Sequence, residues 1–223
     1  MTGAAFFDLD RTLLKRSSTL ALAPAFRRHG VITRSQVAKA AFWQLLFVLR
    51  GTSRERVRVA SEEGLMLLRG FTPRQMQELV GESLEPVLKP LVYDEPLALV
   101  KRHRERGERS YIVSAALQEV VDVLAQELGF DGALGTICEV ENGFYTGRGI
   151  RSLHGEHKAT AVRELAAREG FDLDASTAYS DSHTDAPFLE AVGHPVAVNP
   201  DRELRRLAAE RGWPVLRFTR RAA

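Results

Sequence analysis

Apolar positions follow two rhythms along this chain. Short unbroken apolar runs at 4–7, 111–113 and 177–179 each stop at a small or acidic polar residue and lead into helical pattern. Runs of that length without alternation predict strands buried on both faces, the habit of parallel sheets. Between them, apolar residues at helical spacing predict helices over 96–106, 117–128 and 158–168, and the stretches 195–198 and 214–218 offer two more strands. Strand alternating with helix predicts an α/β fold around a parallel, Rossmann-like sheet. Ligands of such sheets gather outside the carboxyl ends of the strands, where Asp8, Ser114 and Asp181 fall.

Residues 15–90 break the alternation. They contain no convincing strand, and helical spacing recurs over 20–29, 36–49, 55–68 and 74–88. The pattern predicts an α-helical cap domain, 15–90, inserted into a core made of 1–14 and 91–223. Joints are expected at 15–18 and at 89–95, the latter bordered by Pro90 and Pro96. A smaller departure, 138–140 and 144–147 around Glu141-Asn142-Gly143, predicts a hairpin near a sheet edge, because Asn-Gly supplies the positive φ angles of a tight turn.

Composition narrows the class without deciding it. With 223 residues, 44% hydrophobic, 27% charged and a net charge of +2, the chain is long enough for a full core and far from the signature of disorder. Cys138 is the only cysteine, which excludes an intrachain disulfide and a cysteine zinc cluster. The first residues lack the basic start and apolar stretch of a signal peptide, and no apolar run approaches the roughly 20 residues that span a bilayer, so a cytoplasmic protein is expected. Charge is uneven, however. Residues 15–60 hold ten Lys and Arg against one acid, Glu55, beside the apolar strip 42–49. Such a strip suits either a cap core with a solvated basic face or a weak contact with an anionic membrane surface. No motif or aromatic platform accompanies these charges, so a nucleic-acid partner is not expected.

The sharpest chemistry lies in Phe7-Asp8-Leu9-Asp10-Arg11-Thr12, where an apolar strand runs into two acids two residues apart, on one side of extended backbone. Phosphate monoesters are stable anions. Their cleavage calls for a cation to screen charge, a nucleophile and an acid for the leaving oxygen, and two neighbouring carboxylates can divide the last two tasks. A calcium loop is excluded, since Leu13 stands where an EF-hand needs Gly. A second apolar strand ends in Ser180-Asp181, with Asp185 four residues on, and Lys158 opens a helix between the two acidic motifs. His154 and His157, three apart without a nearby acidic third ligand, form a weak zinc pattern and are expected at the surface or behind the site.

Together these residues resemble the haloacid dehalogenase superfamily, specifically its phosphoserine-phosphatase-like hydrolases with a helical cap after the first strand. The resemblance implies Asp8 as nucleophile, Asp10 as general acid and base, and Lys158 as the cation that pairs with Asp8 and neutralises phosphate. It implies phosphate contacts from Thr12, Ser114, Ala115 and Lys158, and a Mg²⁺ site built from Asp8, Asp10 through its carbonyl, Asp181 and Asp185, the last holding a metal water or Lys158. A Mg²⁺-dependent phosphatase acting through a phospho-aspartate on a small-molecule monoester is therefore expected. Two alternatives use the same residues differently: a phosphotransferase that passes on the aspartyl phosphate, and a non-catalytic peripheral membrane or binding protein. Two departures bear on substrate. Ser180, Ser182 and Thr184 replace the best-known form of the last motif, and Ser17, after Lys15-Arg16, stands where phosphoserine phosphatases carry a Glu for the substrate ammonium, so phosphoserine is expected to be a poor substrate.

Overall fold

A computed structural model describes residues 2–32 and 64–219. Seven strands form one sheet in the order β4-β3-β2-β1-β5-β6-β7: β1 (Ala4–Phe7), β2 (Arg109–Leu117), β3 (Gly132–Glu141), β4 (Phe144–Arg151), β5 (Thr177–Ser180), β6 (His194–Val198) and β7 (Val215–Leu216). Every neighbouring pair is parallel except β3 and β4, an antiparallel hairpin at the sheet edge. The mostly parallel α/β fold and the edge hairpin are as the sequence predicts. Strand β1 sits at the centre, and all four of its residues are fully buried, which is why its sequence is an unbroken apolar run.

Helices cover both faces. On one side Leu9, Val121, Leu124 and the inserted residues Leu22, Met76 and Leu79 share a core with Ala5 and Phe7, while Ala4 and Phe6 face a second core with Val162, Leu165 and Phe188. The described helices are α1 (Ser18–Arg28), α2 (Pro73–Ser83), α3 (Asp94–Glu105), α4 (Gln118–Leu128), α5 (Glu156–Glu169), the short α6 (Ala186–Leu189) and α7 (Arg202–Arg211). A capping box fixes the start of α2: the Gln75 N–H donates to Thr72 Oγ1 and the Thr72 N–H to Gln75 Oε1.

The Lys15 N–H donates to the Leu91 carbonyl and the Tyr93 N–H to the Leu13 carbonyl, both at 2.9 Å, so the segments 13–15 and 91–93 run side by side as a stem. Between them the described residues are helical, α1 and α2 followed by a π-helical turn at Leu84–Leu88, with no strand. The expected helix 36–49, the apolar strip 42–49 and most of the helix 55–68 lie outside the described residues. Residues 70 and 71 also tie the insertion to the hairpin: the Gly70 N–H donates to Tyr145 and the Tyr145 N–H to Phe71.

Candidate active site

Strands β1 and β5 end at one level, where the pairing of β2 with β1 also stops. Phe7 pairs with Ile112 on β2 and with Tyr179 on β5, so Asp8, Ser114 and Asp181 emerge just past the last paired residues. Beneath them Phe7 stacks on Tyr179 with ring centroids 4.4 Å apart, and the buried His103 on α3 meets the Tyr179 hydroxyl through Nε2 at 2.8 Å. This layer fixes the relative height of β1 and β5. The Asp8 N–H donates to the Tyr179 carbonyl at 2.9 Å, tying the first acidic residue to the strand that carries the other acids.

Lys158, buried in the first turn of α5, is the hub. Its Nζ donates to Asp8 Oδ1 at 2.5 Å and to Asp185 Oδ2 at 2.6 Å. Burial alone pushes an ammonium down, but the Asp185 and Asp8 carboxylates outweigh it, so Lys158 is held above its ordinary value and stays charged. Asp185 is fixed from a second side by Ser180, whose fully buried hydroxyl donates to Oδ2 at 2.7 Å. The Ser180 contact was not read from the sequence, where a small residue before Asp181 carries no visible sign of a partner five residues on.

Asp8 and Asp181 are both pushed up from the usual carboxylate range, first by burial and then by neighbouring negative charge, Asp185 for Asp8 and Asp8 for Asp181. Buried like charges of this kind are stabilised by a hard cation, and Mg²⁺ is held by one or two carboxylates with several retained waters. Among the described residues no three His, Cys, Asp or Glu side chains group tightly enough to hold a metal unaided. The two raised, buried carboxylates, Asp8 and Asp181, are of the donor type that suits Mg²⁺. Asp185 is engaged by Lys158 and Ser180.

Asp10 is fixed apart from this chain. The Ser18 N–H at the start of α1 donates to Asp10 Oδ1 at 2.8 Å. Burial pushes the Asp10 carboxyl up, while hydrogen bonds from Ser18 and Ser17 act in the other direction. Ser114 is buried, and its Oγ accepts the Ala116 N–H at 3.1 Å, leaving its own proton to donate. The strand runs on to Leu117 and α4 begins at Gln118, one residue from the start expected at 117. The Ala115 carbonyl accepts from Thr136 Oγ1. Thr12 lies fully buried and its hydroxyl has no partner among the described residues. His154 lies within electrostatic reach of Lys158 and Asp185, and His157 is exposed.

A family model for haloacid dehalogenase-like hydrolases matches residues 5–190. The chain belongs to this family. Similar relatives of the hydrolase include an "inhibition of morphological differentiation" protein of Streptomyces azureus, 43% identical over 97% of this chain and 79% of that one. A probable phosphatase of Mycobacterium tuberculosis is 43% identical over 97% and 76%, and a phosphoserine phosphatase of the same organism 37% identical over 100% and 74%. A solved Bordetella pertussis protein of unknown function superposes with a TM-score of 0.83 at 30% identity, covering 97% of this chain and 99% of that one. A phosphoserine phosphatase holding a phospho-aspartyl intermediate analogue superposes at 0.69 with 17% identity, covering 99% and 95%, a likeness of fold.

Proposed function

We propose that this hydrolase is a phosphatase that cleaves a small-molecule phosphate monoester in two steps at Asp8. One observation carries the reading: a buried ammonium, Lys158, clamped between Asp8 and Asp185 at the carboxyl ends of the central strands. Lys158 holds Asp8 through Oδ1 and neutralises the incoming phosphoryl oxygens, with the Ser114 hydroxyl donating to another. Asp8 attacks phosphorus and the leaving alkoxide departs, taking a proton from Asp10, whose carboxyl burial pushes up, the direction a general acid needs. The same carboxylate then takes a proton from water as the water attacks the phosphorus of the aspartyl phosphate, freeing Asp8 and inorganic phosphate. Mg²⁺, held by Asp8, Asp181 and the Asp10 carbonyl, would supply electrostatic shielding of the phosphate.

The helical insertion, 15–90, acts on this reading as a cap that covers the strand ends. No described helix is long and apolar enough to cross a membrane. Hydrolysis of an aryl phosphate with and without chelator tests the proposal. Mg²⁺-dependent release of phosphate in the wild type, lost by at least 1,000-fold in a folded Asp8→Asn protein, is the expected result. Wild-type rates in Asp8→Asn would refute it.

A further inference from the structure

Two cations stand at the mouth of the site and are not used by the chemistry above. Arg11, exposed and directly after Asp10, adopts φ +64°, a left-handed conformation that side chains other than Gly, Asn and Asp rarely take. An unfavourable backbone state filled by a long cation is a feature to be explained by what its side chain does. Its charge reaches Asp181, opposing the rise of that carboxyl. Lys15 lies four residues on, half-buried, with Nζ 5.2 Å from the centre of the Tyr93 ring. Tyr93 borders the site as well: its phenol is pushed up first by burial and then by the charges of Glu95 and Asp181, against a hydrogen bond from Asn199.

We propose that Arg11 and Lys15, the latter seated on Tyr93, form a subsite for a second anionic group, carboxylate or phosphate, carried on the leaving-group side of the substrate. The inference rests on the phosphatase reading. In-line displacement by Asp8 sends the leaving group away from the nucleophile, outward from the strand ends. Lys158 is buried and serves the phosphoryl group, whereas Arg11 is exposed and Lys15 half-buried, on the solvent side toward which a leaving group departs. The stem hydrogen bond from the Lys15 N–H to Leu91 holds that backbone at the site, and the Tyr93 face restricts where its ammonium can sit.

Three near-isosteric probes separate this subsite from general attraction of phosphate: ethyl phosphate, phosphoglycolate and 2-aminoethyl phosphate, whose far ends are neutral, anionic and cationic. Variants are Arg11→Asn, which tolerates the backbone, and Lys15→Met, which keeps the stem on Tyr93. Each is expected to lower kcat/KM for phosphoglycolate by roughly tenfold more than for ethyl phosphate, and least for 2-aminoethyl phosphate. Arg11→Lys should restore part of the difference. Equal losses on all three probes overturn the proposal. Binding of the same probes to Asp8→Asn keeps the two readings apart: no turnover by the wild type defeats the phosphatase reading, while the subsite stands or falls on whether Arg11→Asn and Lys15→Met selectively weaken phosphoglycolate binding.

Discussion

At the residue scale, each acid of the site has a different task because each has different partners. Asp8 shares Lys158 with Asp185, Asp10 is fixed by the Ser18 N–H, and Asp181 feels Arg11 more strongly than Lys158. Asp10→Asn should therefore slow both release of the leaving group and hydrolysis of the aspartyl phosphate, since one carboxyl moves the proton in opposite directions. Burst kinetics would reveal it, and an unchanged rate in both phases would contradict the assignment. Ser180→Ala asks a narrower question. The hydroxyl touches Asp185, not substrate, so its loss leaves a buried carboxylate short of one donor and frees Lys158 to tilt. We expect kcat to fall roughly tenfold with little change in KM and recovery in Ser180→Thr; an equal fall in affinity alone would mean that Ser180 acts elsewhere.

At the element scale, legibility followed burial pattern. Strand β1 matched its apolar run end to end, and the three core helices read at 96–106, 117–128 and 158–168 lie within a few residues of α3, α4 and α5, because each presents a continuous apolar stripe. The first half of β3 was illegible: Gly132-Ala133-Leu134-Gly135 has little strand propensity. Its glycines answer to packing instead. A Cβ on Gly135 would lie 2.6 Å from Gln118 Cα and 2.8 Å from Val121 Cγ2, so α4 can cross β3 only where the side chain is missing. Helix α7 was also not read, for its Arg-Glu-Leu-Arg-Arg run buries little beyond Leu204 and Ala208. Asp8, Asp10, Ser114, Lys158, Asp181 and Asp185 were legible as motif positions, whereas the contacts of Ser17, Ser18 and Ser180 depend on how loops fold back. Gly135→Ala should destabilise the protein by about 1–3 kcal/mol through overpacking. Thermal or urea unfolding measures it, and an unchanged midpoint would show that the crossing has room to give.

At the scale of the whole molecule, the cost of assembling the site ties stability to pH and metal. Without a metal ion, burial and neighbouring carboxylates push Asp8 up to about 7, against the pull of Lys158, and Asp181 up to about 8, while in the unfolded chain both return to the ordinary value near 4. Between those limits the folded state binds more protons than the unfolded one. Stability from these two groups is thus fully present at low pH and is lost as pH rises from about 4 through 7 and 8. Mg²⁺ reverses the sense, because it binds the ionised carboxylates of the folded state and competes with their protons. The rise in Tm on adding millimolar Mg²⁺ should therefore be small at pH 5, grow through pH 8, and shrink strongly in Asp181→Asn, which removes one ligand and one buried charge. Asp181→Asn without metal should also lose part of the decline in stability between pH 5 and 8. A Tm increment independent of pH, or one that survives Asp181→Asn intact, would place the cation elsewhere and leave the repulsion between Asp8 and Asp181 to be balanced by protons alone.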